Sequence, residues 1–366
     1  MTHENYQSRR IRGILRYAAS NRLVADKKMQ LPLFVLLSLR LRSSYPPQLP
    51  FSTLEQLKNA VDNIASLNRP YYDIILMGGE PTIHPHLMDL IYLLRDTLQN
   101  RLRDLLIISN GSRNEKLYKK IAETAKGLNI SMQLSVHTDH VDMPHFLDLI
   151  EFFSKNVNLY IPLMFNPDKR EEVHLIFDIL CEYRKRFPFN MDVAPVWVND
   201  GLDPRYTEDD LRWAKEAAIY FDALQKAVKV KVTKKPPTMM RMFHDLEIDG
   251  ERKIIEAKDK DYNTNLTNGL TNFKGMYCVA NTTLLHVTET GLCKGLICSP
   301  IFTCNIYEKG SLKATRDKLI YTLKCRNKLC GCTNANYPPK FASFEESQKF
   351  MEIFNAKQQA LFDAVR

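Results

Sequence analysis

The sequence predicts an α/β fold on a parallel sheet, followed by a small loop-rich domain dense in cysteine. Three observations lead there. From residue 31 to about residue 227 short apolar runs alternate with amphipathic helices, six strand–helix repeats in all. The strand ends carry glycines, a carboxylate, amides and a histidine where a buried strand would carry only apolar groups. Seven of the eight cysteines fall between Cys278 and Cys332, and none precedes Cys181. Repeats of this period require parallel βαβ crossovers, in an open doubly wound sheet or a partial barrel. In either one, ligands collect where the strands end at their carboxyl termini.

Each element has a local reason. Leu33–Leu39 is short and apolar but for Ser38, as a strand buried on both faces reads. Ser52-x-x-Glu55 reads as a capping box opening a helix with Leu54, Leu57, Val61 and Ile64 on one face. A strand at Tyr72–Met77 precedes a helix after Pro85 that carries Leu87, Leu90, Ile91 and Leu94. Strands at Leu105–Ser109, Ile130–Val136, Val157–Met164 and Met191–Val196 alternate with helices at Glu115–Ala125, Phe146–Phe153 and Glu171–Arg186, and Thr207 caps a helix running to about Ala227. Beyond it the alternation fades. Lys234-Lys235-Pro236-Pro237 marks a hairpin or linker, residues 246–272 are polar and read as loop, and a hairpin is expected at Leu284–Val287 and Leu292–Ile297 around Gly291. Phe344–Phe362 reads as a closing helix. The expected division is a basic segment at 1–30, the α/β domain at 31–227, the hairpin and cysteine-rich domain at 228–342, and the closing helix at 343–366.

Composition limits the functional classes. A hydrophobic content of 45% supplies a core, and no apolar run reaches the roughly 20 residues of a membrane span. The amino terminus has charge but no apolar stretch of a secretory signal, so a cytoplasmic address is expected. There, crowded thiols favour metal over disulfides. The net charge of +9 is concentrated early: residues 1–44 hold nine Lys/Arg against Glu4 and Asp26. Such a segment could meet nucleic acid or an acidic partner, or form a solvated helix face.

The chemistry-bearing residues sit at three strand ends. They are Gly78-Gly79-Glu80-Pro81, Ser109-Asn110-Gly111, and Ser135-Val136-His137 with Asp139 close behind. His137 is the weak candidate for general acid–base work. Gly78-Gly79-Glu80-Pro81 after the second strand resembles the motif by which radical S-adenosylmethionine (AdoMet) proteins hold the methionine amino group. Ser109-Asn110 and Ser135-Val136-His137 match further positions of that superfamily. The segment Asn272 to Cys278, the hairpin with Gly291, Cys298, and then Cys325, Cys330 and Cys332 are similar to its twitch or SPASM auxiliary-cluster domains.

The resemblance implies a partial (β/α)6 TIM-like barrel with a cysteine-rich metal-binding domain. It implies AdoMet contacts from Gly78, Gly79, Glu80, Pro81, Ser109, Asn110, Ser135 and His137. It also implies an auxiliary iron–sulfur cluster on about four of Cys278, Cys298, Cys325, Cys330 and Cys332, with structural zinc as the alternative. One departure is severe. The superfamily's catalytic cluster is held by Cys-x3-Cys-x2-Cys after the first strand, whereas here that loop reads Leu37-Ser38-Leu39-Arg40-Leu41-Arg42-Ser43-Ser44-Tyr45-Pro46-Pro47. Without thiolates nothing holds the cluster that chelates and cleaves AdoMet. The expectation is therefore a degenerate member, a pseudoenzyme or accessory subunit working on or with a peptide or protein, including an active radical AdoMet enzyme. AdoMet binding is expected to be weak or absent. The alternatives are a modifying enzyme that uses the pocket without radicals, and a basic zinc-stapled nucleic-acid-binding protein.

Overall fold

The computed structural model describes residues 33–38, 50–69, 71–198, 201–230, 242–248, 251–257, 273–282, 284–296, 298–326, 330 and 338–364. The chain divides into two compact units that exchange segments: residues 32–238 with 284–319, and residues 1–31 with 239–283 and 320–366.

The first unit is the expected partial (β/α)6 barrel. Its elements in order are β1 (Leu33–Ser38), α1 (Leu54–Ser66), β2 (Tyr72–Met77), α2 (Leu87–Leu98), β3 (Leu102–Ser109), α3 (Glu115–Thr124), β4 (Ile130–Leu134), α4 (Met143–Asn156), β5 (Asn158–Phe165), α5 (Arg170–Arg184), β6 (Asn190–Pro195) and α6 (Glu208–Ala227). Strands β1 to β6 pair in parallel in sequence order, and Val136–His137 continues the line of β4 alongside β5. Alternation across the pleat sends Ile74, Leu76, Leu105, Ile107, Met132, Leu134, Ile161 and Leu163 into a fully buried layer. The helices cover it with residues spaced three and four apart, such as Leu57, Val61 and Ile64 of α1 and Phe146, Leu149, Ile150 and Phe153 of α4. Cys181 on α5 is 4% exposed, and burial pushes its thiol up to about 12, so it is the core residue its sequence context suggests.

Two local readings shift. The capping box of α1 is built one residue later than expected: Thr53 accepts from the Gln56 amide, and the Gln56 side chain accepts from Thr53 N–H. Ser52 instead bonds the Tyr307 hydroxyl at 2.8 Å, a tertiary contact that its spacing in sequence could not reveal. Residues read as loop between 246 and 257 include strand: Met242–Ile248 and Glu251–Ala257 pair antiparallel around Asp249-Gly250, a dipeptide favoured in tight hairpins.

The sheet does not stop at β1. The chain returns as β7 (Leu284–Val287), which pairs in parallel with β1, and β8 (Leu292–Lys294) and β9 (Cys304–Asn305) extend the edge antiparallel. The expected hairpin is present, but it continues the barrel sheet, although its sequence position suggested the cysteine-rich domain. Gly291 turns it at φ +82°, where a Cβ would collide with the Tyr307 ring. Helix α1 clamps the returning segment. The buried Asn63 amide donates to the carbonyls of Ile306 at 2.9 Å and Glu308 at 2.8 Å and accepts from the Leu312 amide.

The second unit pairs Tyr277–Ala280 antiparallel with both Tyr321–Lys324 and Lys340–Phe341. The closing helix, Phe344–Ala364, contributes Phe350 and Phe354 to a core with Val279 and Phe341. Among the described residues no helix is long and apolar enough to cross a membrane.

Candidate functional site

The barrel brings the predicted strand-end residues together as one ledge, and it does so by bonding them to each other. Gly78 takes φ +133°, a backbone state that favours glycine, and with exposed Gly79 it turns the chain so that the Glu80 side chain points back into the protein, 8% exposed. One carboxylate oxygen of Glu80 accepts from the Thr82 amide at 3.1 Å and the Thr82 hydroxyl at 2.6 Å, and the other accepts from the Asn110 amide at 2.7 Å. A carboxylate offers about four acceptor positions, so roughly one is left for anything else.

The ledge continues across β3 and β4. Ser109 accepts at its carbonyl from the Ser135 amide at 2.8 Å, and its hydroxyl accepts from the Gly111 amide and bonds the buried Tyr118 hydroxyl. Burial lifts the Tyr118 pKa, so the phenol stays neutral. Asn110 folds its own side chain back onto the Ser112 amide. Beneath this turn His145, a residue the sequence reading passed over, places Nε2 at 3.1 Å from the Gly111 carbonyl and 2.8 Å from that of Arg113. Carbonyls only accept, so Nε2 carries the proton. Nothing in the spacing of His145 marks that role, because its partners lie more than thirty residues upstream.

His137 ends the fourth strand line exposed, and partial desolvation followed by the neighbouring His140 moves its pKa below the ordinary histidine value. Asp139, close behind it in sequence, accepts from the Asn166 side-chain amide at 3.2 Å. Among the described residues His137 has no side-chain hydrogen bond, so it has no orienting partner of the kind a general base uses. Pro81 is buried at the start of a single 3-10 turn, Pro81–Ile83. His84 follows it, 3% exposed, with Nδ1 accepting from the His86 amide, its ring edge-on to Phe51, and Nε2 buried without a partner. Burial first, then His86, lowers its pKa to about 4.

Arg40, Leu41, Arg42 and Tyr45 of the thiol-free loop lie outside the described residues. Trp213 of α6 stacks on His174 at 4.0 Å and meets Phe165 and Phe177 edge-on. It is a half-buried packing residue among these three rings.

The candidate metal ligands divide between the units. Cys278, Cys325 and Cys330 belong to the second unit, Cys298 is exposed in the segment that returns to the barrel, and Cys332 lies outside the described residues. Cys278 is buried in its strand opposite Leu323, and Cys325 and Cys330 pack against Phe273 and Met276. The turn is pinned by Cys325 N–H to the Met276 carbonyl at 2.7 Å and Gly275 N–H to the Cys325 carbonyl at 2.9 Å. These thiols have the softness that zinc or iron–sulfur clusters require. Among the described residues, however, no three His, Cys, Asp or Glu side chains are grouped to hold a metal ion. The catalytic cluster of the resembled superfamily does not fit this chain, because the loop after β1 has no thiol.

No family model matches the chain, and no curated protein matches it. Solved structures do. Native anSMEcpe with bound AdoMet is 14% identical, with a TM-score of 0.50 over 91% of this chain and 99% of that one. A histidine-tagged form of anSMEcpe with bound AdoMet is 15% identical, with a TM-score of 0.50 over 91% and 98%. Streptococcus suis SuiB bound to its precursor peptide SuiA is 14% identical, with a TM-score of 0.48 over 78% of this chain and 65% of that one. The likeness to the AdoMet-bound anSMEcpe structures shows the fold: this chain has the radical AdoMet type of partial barrel.

Proposed function

We propose that this chain is a radical AdoMet-fold protein without autonomous radical chemistry, a pseudoenzyme or accessory subunit that acts on or with a peptide or protein partner. The observation that carries the reading is the state of the strand-end ledge. The loop that should hold a catalytic cluster has no thiolate, and the Glu80 carboxylate is already engaged by Thr82 and Asn110. A site built to cleave AdoMet needs three soft ligands, and this loop supplies none. A fold kept after that chemistry is lost still offers a shaped surface at its strand ends, and the resemblance to peptide-modifying auxiliary-cluster proteins favours a peptide or protein as the partner.

The reading retains a metal in the second unit, an auxiliary iron–sulfur cluster on Cys278, Cys325, Cys330 and Cys332, with zinc as the alternative. Its support is the donor chemistry and the presence of Cys278, Cys325 and Cys330 in one compact unit. A non-radical modifying enzyme centred on His137 and Asp139 is disfavoured by the engagement of Asp139 with Asn166.

The test is anaerobic reconstitution of the full chain with iron and sulfide, followed by AdoMet and a strong reductant. The expected outcome is about one cluster per chain and no 5′-deoxyadenosine. Deoxyadenosine formed by the isolated chain, and lost on Cys330→Ser, would overturn it.

A further inference from the structure

Cys293 and Cys304 are the two clustered cysteines to which neither the barrel nor the auxiliary-site reading gives work. They stand directly opposite each other on the antiparallel pair β8–β9. Opposed residues of such a pair have Cα atoms about 4.5 to 5.5 Å apart, inside the span that a disulfide bridges. Both are free thiols in this structure, and the Cys293 S–H points to the Gly291 carbonyl oxygen at 3.9 Å. Their surroundings differ. Cys293 is fully buried in the barrel core and Cys304 only partly buried, so Cys304 is the more accessible of the two.

The Cys304 sulfur also has the hydroxyls of Ser311, Thr315 and Thr303 close by, and its pKa is drawn down to about 6, first by the Cys293 thiol. Each of those hydroxyls donates to a nearby carbonyl oxygen. Among the described residues no third Cys, His, Asp or Glu joins the two thiols as a metal-ligand group, although Cys298 lies in the connecting segment.

We propose that Cys293 and Cys304 form a thiol–disulfide site that reacts with low-molecular-weight disulfides. The Cys304 thiolate attacks one sulfur of the disulfide RSSR. A mixed disulfide forms and one RS⁻ leaves, taking up the proton that Cys304 gave up. The Cys293 sulfur, losing its proton, then attacks the Cys304 sulfur and expels the second RS⁻, which takes that proton. The protein is oxidised by two electrons and RSSR is reduced to two RSH. The product is a cross-strand bridge that ties the outermost strand to the hairpin and closes the segment 294–303, which carries the exposed Cys298, Ile301 and Phe302. The proposal stands whether or not the other cysteines hold a metal.

The test uses the reduced full chain, equilibrated anaerobically with oxidised and reduced glutathione at graded ratios, acid-quenched, alkylated and mapped by mass spectrometry, with iron and zinc measured on the same samples. The expected result is a Cys293–Cys304 linked peptide that grows with oxidant and is fully reversed by reductant, with metal content unchanged. Cys298→Ser should leave the link intact. Cys293→Ser should trap glutathione on Cys304. Recovery of Cys293 as a free thiol at the most oxidising ratio, or a Cys304–Cys298 link in the unaltered chain, would overturn the proposal. Mapping of the unaltered chain decides the matter even if Cys293→Ser fails to fold.

Discussion

At the carboxyl ends of β2, β3 and β4, polar groups are satisfied by one another: Glu80 by Thr82 and Asn110, Ser109 by Ser135, Gly111 and Tyr118, and the carbonyl of Gly111 by His145. In the second unit, Cys278, Cys325 and Cys330 pack among Phe273, Met276 and sheet residues, and no metal-ligand group forms among the described side chains. The first region is closed chemistry that needs no ligand to hold its shape. The second carries thiols of the soft kind that zinc or an iron–sulfur cluster takes. On the proposed reading the first region is stable through its own hydrogen bonds and the second through an added metal, and that contrast is open to experiment.

The largest expected effect is on the metal side. If the second unit is completed by a cluster or zinc, chelation or Cys330→Ser should abolish metal binding and lower the melting temperature. Either change should leave the barrel's secondary structure, followed by circular dichroism, in place. Next, Glu80→Ala should cost about 2 to 4 kcal/mol, because it strands the amides of Thr82 and Asn110 in a buried turn. Urea denaturation measures this, and Glu80→Gln should recover part of the loss. A Glu80→Ala protein as stable as its parent would show that the ledge is not self-supporting.

A third prediction concerns pH. His84 is buried with a pKa near 4, against about 6.5 in the unfolded chain, so the unfolded state binds the proton more readily. Its contribution is complete above about pH 6.5 and is lost as the pH falls towards 4, by up to about 3 kcal/mol. His84→Asn should flatten that part of the stability profile. Asn63→Ala should cost about 2 kcal/mol by leaving the Ile306 and Glu308 carbonyls short of a donor. Smallest of all, Lys58→Ala should change stability by less than about 0.5 kcal/mol, since its bridge to Asp62 is solvent-exposed.

The repeat of apolar runs made the barrel legible, because a 3.6-residue period and a buried strand leave marks within a dozen residues. The strand-end motifs were legible for the same reason: Gly78 to Pro81 and Ser109-Asn110 are contiguous. Features made by partners far apart in sequence were hidden. The bonds of Asn63 to residues 306–312, of Ser52 to Tyr307, and of His145 to Gly111 each join positions whose local patterns say nothing of one another. The hairpin at 284–294 was foreseen as a hairpin, but its parallel pairing with β1 depends on a register some 250 residues long that no local pattern encodes. The pair Cys293 and Cys304 was hidden likewise, since the eleven-residue step between them gives no hint that they face each other.

That parallel pairing has a consequence for biosynthesis. Strand β1 leaves the ribosome early, yet one of its two edges has no neighbour until Leu284–Val287 has been made. An unpaired edge is a template for association with other chains, and contacts this distant along a chain form slowly. A nascent or truncated chain ending anywhere between residues 230 and 284 would contain all six repeats and still display an open flank. The expected result is an aggregating product, recoverable by supplying residues 284–319 as a separate polypeptide.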